Sequence, residues 1–230
     1  MNFWFDFNFK LRRFILPIMK ATKIIRYALL LFFTLLMIRI TLPYLSLETD
    51  IKFLNLKQWI IHNPVWKVSF FIHVLSSIFL LIAGFTQFYD PLRKFSTVHR
   101  MVGKIYILII VFISGPASFV MALYANGGMP SQIAFSVLSI LWIFFTAKAW
   151  IEIGKQNYIE HGNFMLRSYA LTLSALTLRA WKYIIVLVFH PHPMDGYMIV
   201  AWLGWIPNLL IAEWLIRRKA AAEILTVNKK

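Results

Sequence analysis

The stretch SQIAFSVLSILWIFFTAKAWI, residues 131–151, decides the fold. It carries one charge, Lys148, near one end. Crossing a hydrocarbon core of roughly 30 Å takes about 20 mainly apolar residues in a helix, so this stretch spans a membrane by length alone. Five more stretches have the same character, at about 24–44, 66–88, 102–124, 163–189 and 197–216. Turn chemistry separates them: Asn63-Pro64, Asp90-Pro91, Asn126-Gly127-Gly128-Met129-Pro130 and His190-Pro191-His192-Pro193. The chain reads as an all-α, polytopic bundle of six transmembrane helices over 24–216. A basic, aromatic-rich segment precedes it at 1–23, and a basic tail follows at 217–230.

Composition agrees. Of the 230 residues, 60% are hydrophobic and 14% charged, against roughly 25% charged in an average soluble domain. Mean hydropathy is +0.69. That leaves too little polar surface to cover a water-soluble globule, and the bilayer itself is the first partner. The net charge of +15, from 24 Lys+Arg against 9 Asp+Glu, would point to nucleic acid if it lay on a soluble face. Here the bases collect at alternate loops: Lys10, Arg12, Arg13, Lys20, Lys23 and Arg26; then Arg93, Lys94, Arg100 and Lys104; then Lys148 and Lys155; then Arg217, Arg218, Lys219, Lys229 and Lys230. The opposite loops hold Lys52, Lys57 and Lys67. Basic loops stay in the cytoplasm, so both termini are expected there and nucleic acid is not a partner. More than twenty residues precede the first apolar run with no cleavage pattern after it, which reads as an anchor. The start, Phe3-Trp4-Phe5-Asp6-Phe7-Asn8-Phe9, reads either as an interfacial segment or as a tail. Without cysteine there are no disulfides, iron–sulfur clusters or thiolate zinc sites.

Ionisable residues inside a span are costly and mark interiors, cavities or interfaces. Here they are Arg39 in helix 1, His73 in helix 2, Arg167, Arg179 and Lys182 in helix 5 and Glu213 in helix 6. His99 and His161 sit at the cytoplasmic mouths of helices 3 and 5, and His190 and His192 at the outer end of helix 5. At 100° per residue, His161, Met165, Ser168, Thr172, Ala175, Arg179, Tyr183, Val186 and His190 form one stripe that should face protein. Arg167 and Glu213, at comparable levels on adjacent helices, are expected to pair structurally. The outer group of Arg39, His73, Arg179 and Lys182 contains no carboxylate. Lys182 and Arg39 can snorkel to headgroups, whereas Arg179 is deeper and needs carbonyls, water or an anionic ligand.

Two imidazoles from different helices at one depth can hold a haem. His99 with His161 meets that rule on the inner side, and His73 with His190 or His192 on the outer side. Hydrogen-bonded packing or a proton relay is the plainer role of a membrane histidine. The sequence contains no His-Glu-x-x-His, Gly-x-Ser-x-Gly, P-loop or dinucleotide motif, and a carboxylate-dyad mechanism lacks its second intramembrane acid.

Several separated runs resemble a known family: Val98-His99-Arg100-Met101-Val102-Gly103-Lys104-Ile105-Tyr106, Ser114-Gly115, Gly127-Gly128, His161-Gly162-Asn163-Phe164-Met165-Leu166-Arg167-Ser168-Tyr169-Ala170, Arg179, and Trp202 to Glu213-Trp214. Together, over roughly 65–217, they resemble the bacterial membrane proteins catalogued as domain of unknown function 2306. The resemblance implies a multi-span bundle in a bacterial inner membrane and singles out His73, His99, His161, Arg167, Arg179, Asn208 and Glu213. The arrangement is more loosely similar to membrane cytochromes of the b561 type, which implies haem b held by His99 and His161, a second site around His73, and a quinone or other redox partner. Helix 4 has no histidine, which departs from that pattern and weakens any claim of two haems. The alternatives are a transporter or binder of a small anion at Arg179 and Lys182, and a structural membrane protein.

Overall fold

The computed structural model describes residues 24–25, 27–29, 31–88 and 96–227. The readings of segment 1–23, Arg26, the Asp90-Pro91 turn with Arg93 and Lys94, and Lys229 and Lys230 lie outside the described residues. Among those described, six helices are long and apolar enough to cross a membrane: Tyr27–Ser46, Pro64–Gln87, Thr97–Ala122, Gly128–Gly154, Tyr158–Phe189 and Pro193–Arg218, called spans 1 to 6. No described residue lies in a strand. Each span falls on one of the apolar stretches. Span 5 begins five residues before the expected 163, because the Asn157 side chain accepts the Glu160 N–H and caps the helix at Tyr158. The last helix, Ile206–Val227, runs past residue 216 without a break, so the basic tail begins as a continuation of span 6.

The chain forms two compact units, residues 1–40 and 41–230. In the first, Leu29, Leu31, Phe32 and Leu35 of span 1 are all more than half exposed, as lipid-facing residues are. The second holds spans 2 to 6. Its spans alternate in direction: Trp142, Thr146 and Ala149 of span 4 meet Thr172, Ser168 and His161 of span 5 in reverse order. Arg100, Lys104, Lys148, Lys155, Arg217 and Arg218 consequently share one end, the basic end. At the far end, 3-10 turns at Leu42–Ser46 and Lys52–Lys57 fold over the bundle. Tyr44, Leu54, Ile61, Trp66 and Phe70 bury a second apolar cluster there. The main core lies between the spans and includes Leu80, Tyr106, Ile110, Trp142, Met165, Leu171 and Trp205.

Span 3 is not a uniform helix. Its α-helix Ser96–Ile109 passes into a π-turn at Ile110–Ser114 and resumes at Gly115–Ala122. Pro116 lacks an N–H and its ring crowds the carbonyl one turn back, which favours a widened turn just before it. Gly115 then donates its N–H to the Ile110 carbonyl, five residues back. A Cβ on Gly115 would lie 2.3 Å from that oxygen, so glycine is required. The Asn126 to Pro130 turn also uses glycine for its shape, with φ of +81° at Gly127 and +68° at Gly128.

Candidate functional site

A line of buried hydroxyls runs through the middle of the second unit. The Tyr106 hydroxyl of span 3 lies 3.2 Å from Ser168 Oγ and 2.8 Å from Thr172 Oγ1, both on span 5. Ser168 Oγ is 2.7 Å from Thr146 Oγ1 of span 4, and Trp142 Nε1 donates to Thr172 Oγ1 at 3.0 Å. Tyr106, Ser168 and Thr146 are completely buried, and Trp142 and Thr172 nearly so. In hydrocarbon an unmet hydroxyl is costly, and each of these groups has a partner. This knot is what ties spans 3, 4 and 5 together.

The knot also sets a register. His99 lies seven residues before Tyr106 and His161 seven before Ser168, on unbroken α-helices that both start at the basic end. Seven residues turn a helix to within about 20° of the same face and rise about 10 Å. His99 and His161 therefore sit at one level, each on the helix face that carries the Tyr106–Ser168 contact. Both are half-buried. His161 Nδ1 donates to the Ala149 carbonyl of span 4 at 2.8 Å, which leaves Nε2 with its lone pair.

Arg167 and Glu213 join spans 5 and 6 near the basic end. Nε donates to Oε1 at 2.5 Å and Nη2 to Oε2 at 3.0 Å, with the guanidinium 5.0 Å from the centre of the Phe164 ring. Further along this seam, Asn208 donates to the Ala170 carbonyl at 3.1 Å and to Thr177 Oγ1 at 3.0 Å.

Nearer the far end, His73 Nδ1 lies 3.2 Å from the Ser114 carbonyl and 3.1 Å from Ser114 Oγ, where the π-turn presents them, and its ring meets Trp142 edge to face at 6.1 Å. Arg179 is within electrostatic reach of His73 and of Tyr44. Its Nη1 donates to the Ala175 carbonyl at 2.6 Å, and no carboxylate among the described residues pairs with it. Within this unit Lys182, His190 and His192 are exposed and are not brought to this place, and Arg39 is an exposed residue of the first unit. The stripe on span 5 turns inward only as far as Arg179. Its helix is interrupted at Leu173, and Tyr183 and Val186 beyond are 77% and 50% exposed.

Lys57 is the polar residue that the sequence did not single out. It is 2% exposed, donates Nζ–H to the Tyr124 carbonyl, and is ringed by Phe53, Trp59 and Trp66 at 5.3 to 6.0 Å. Burial pulls its ammonium down from the usual lysine value to about 8. The aromatic run around it, Phe53, Trp59 and Trp66, was the available signal.

Residues 70–216, nearly two thirds of the chain, match a described family of predicted membrane proteins. The chain belongs to the DUF2306 family. The DUF2306 match takes in His73, His99, His161, Arg167, Arg179, Asn208 and Glu213, and it leaves out span 1 and Lys57. No curated protein and no solved structure matches the chain, so the likeness to b561-type cytochromes has no support beyond the histidine pattern of this DUF2306 member.

Proposed function

We propose that this integral membrane protein is a b-type cytochrome that holds one haem between His99 and His161 and passes electrons within a bacterial inner membrane, with the basic end in the cytoplasm. The observation that carries the reading is the shared level of the two histidines, set by the Tyr106–Ser168 contact. The donor set suits the group: His161 is oriented by a backbone carbonyl through Nδ1, the arrangement that leaves Nε2 to ligate, and two neutral imidazoles on facing helices are what a low-spin haem requires. A haem bound there would supply one-electron redox chemistry.

The chain's own part is to orient and to exclude water. The Ala149 carbonyl fixes the His161 ring. Tyr106 and its hydroxyl partners fill the interior about 10 Å further from the basic end than the two histidines. A second haem at His73 is not part of this reading, because the imidazoles that would complete it, His190 and His192, are exposed and His73 faces Ser114 and Trp142 instead.

The test is an absorption spectrum of the purified protein after expression with added 5-aminolevulinate. A Soret band that shifts on dithionite reduction is expected. It should be lost or turn high-spin in His99→Ala and in His161→Ala, with exogenous imidazole restoring it. A colourless wild type, or a spectrum unchanged in both variants, would overturn the reading.

A further inference from the structure

We infer that the far halves of spans 5 and 6, Ser174–Phe189 and Pro193–Leu203, form a hairpin gate that swings as one body on the fixed basic half of the bundle, about a hinge at Leu173 and Gly204. Both helices are interrupted there, and the sequence supplies the cause in span 6. Pro207 has no N–H for the Leu203 carbonyl and its ring crowds that oxygen, which bends the helix in the turn before it. The break in span 5 comes from its neighbour. Asn208 Nδ2 of span 6 donates to the Ala170 carbonyl at 3.1 Å. No backbone N–H among the described residues reaches that oxygen, although Ser174 stands four residues on to meet it. A side chain inserted into the hydrogen-bond ladder kinks a helix at that point. The exchange is reciprocal: Thr177 Oγ1 of span 5 donates to the Gly204 carbonyl of span 6 at 2.5 Å, in place of the Asn208 backbone N–H. A Cβ on Gly204 would lie 3.0 Å from the Leu178 Cβ, so the two helices touch here, and this contact is the pivot.

Fastening is polar on one side of the pivot and apolar on the other. On the basic side, span 5 is tied to spans 3 and 4 through Ser168 and Thr172 and to span 6 through Arg167 and Glu213. Beyond the pivot, among the described residues, no side-chain hydrogen bond or ion pair joins 178–203 to spans 2, 3 or 4; Arg179 bonds within its own helix, to Ala175. Pro193–Leu203 rests on span 4 through apolar contact, with the Tyr197 ring 6.0 Å from that of Phe135. In hydrocarbon such packing holds weakly, because lipid chains offer the same side chains an equal surface. Tyr183, Leu187 and Phe189 of the hairpin are already more than 70% exposed.

The hinge has two discrete settings. In the one described above, Asn208 holds the Ala170 carbonyl and span 5 is bent. In the other, the Ser174 N–H takes that carbonyl as a continuous helix requires, Asn208 releases it, and the hairpin follows the straightened span 5. The Ala170 carbonyl has a donor in each setting, and Asn208 keeps Thr177 Oγ1, now 3.0 Å away, as an acceptor when it lets go. Span 6 stays bent in both, since Pro207 has no N–H to restore. In the second setting Tyr197 leaves Phe135, and the far half of the bundle opens to the bilayer while the basic half keeps its contacts.

The hinge is independent of any haem, and its test uses no haem signal. The chain has no cysteine, so introduced pairs can be spin-labelled specifically. Leu187 on the hairpin and Ile133 on span 4 are exposed, as are Ile151 and Leu215 in the basic half. Electron–electron distances in nanodiscs should show two populations for Leu187→Cys with Ile133→Cys, and one for Ile151→Cys with Leu215→Cys. Ser174→Pro, which has no N–H to give Ala170, should keep only the bent form. Asn208→Leu should deplete that form about fivefold, the worth of one hydrogen bond. Gel filtration and melting check that both variants fold, and the wild-type pairs decide alone if they do not. One narrow distance for the hairpin pair, two populations in both pairs, or two populations that the folded variants leave unchanged would overturn the hinge.

Discussion

Arg167 and Glu213 meet as a two-point fork across spans 5 and 6, Nε to Oε1 at 2.5 Å and Nη2 to Oε2 at 3.0 Å. Removing one partner leaves the other charge in a medium that solvates it poorly, whereas removing both does not. Glu213→Gln alone is expected to cost about 2 kcal/mol, since the side chains are 16% and 32% exposed and the pair is not sealed from solvent. Arg167→Met with Glu213→Leu should cost less than either single change. Unfolding midpoints in mild detergent check the order. A double variant less stable than either single variant would contradict it.

Tyr106 shares its hydroxyl with Ser168 and Thr172, but those two keep other partners, Thr146 and Trp142. Tyr106→Phe should therefore cost only about 1 kcal/mol, the net value of one hydrogen bond, with no orphaned group behind it. Tyr106→Ala empties a completely buried site and should cost about 3 to 5 kcal/mol. Denaturant titration of the two variants separates the hydroxyl from the ring.

Lys57 makes stability depend on pH in a defined direction. Burial holds its folded value at about 8, below the unfolded value of about 10.4. Between those limits the unfolded chain binds more protons than the folded one, so stability should rise with pH from about 8 to about 10.4 and owe nothing to this residue's titration below that window. Lys57→Met should abolish the rise. Melting curves from pH 7 to pH 10.5 test this, and equal slopes for wild type and variant would count against it.

Gly115 and Gly128 are expected to respond differently to alanine. At Gly115 the new Cβ would meet the Ile110 carbonyl at 2.3 Å and the Ile143 side chain at 2.5 Å, so the π-turn must rearrange. A loss of about 2 to 3 kcal/mol is expected, of the kind that overpacking brings. At Gly128 a Cβ meets nothing within 4 Å, and only the φ of +68° opposes it, for about 1 kcal/mol. Comparable losses at both sites would mean that the π-turn is not a fixed feature of span 3.

The spans were legible because the bilayer imposes one requirement on each of them separately, a length of apolar residues that satisfies its own backbone. The Arg167–Glu213 pairing was legible because helices 5 and 6 are joined by a short turn and the two charges lie at matching depth. Lys57 was not, since a lysine in a short loop looks solvated until Trp59, Trp66 and Tyr124 close around it. The π-turn at Ile110–Ser114 hid in an apolar run that reads as plain helix, with Gly115-Pro116 its only mark.

By itself the amino-acid sequence determined six spans and the clustering of basic charge at alternate loops, because each follows from local composition measured against the thickness and polarity of a bilayer. Tertiary structure decided which polar residues meet. Depth could be counted along a helix, but the rotation of each helix about its axis is set by its neighbours. That rotation put His99 and His161 on the faces joined by Tyr106 and Ser168 and brought His73 to Ser114 and not to His190.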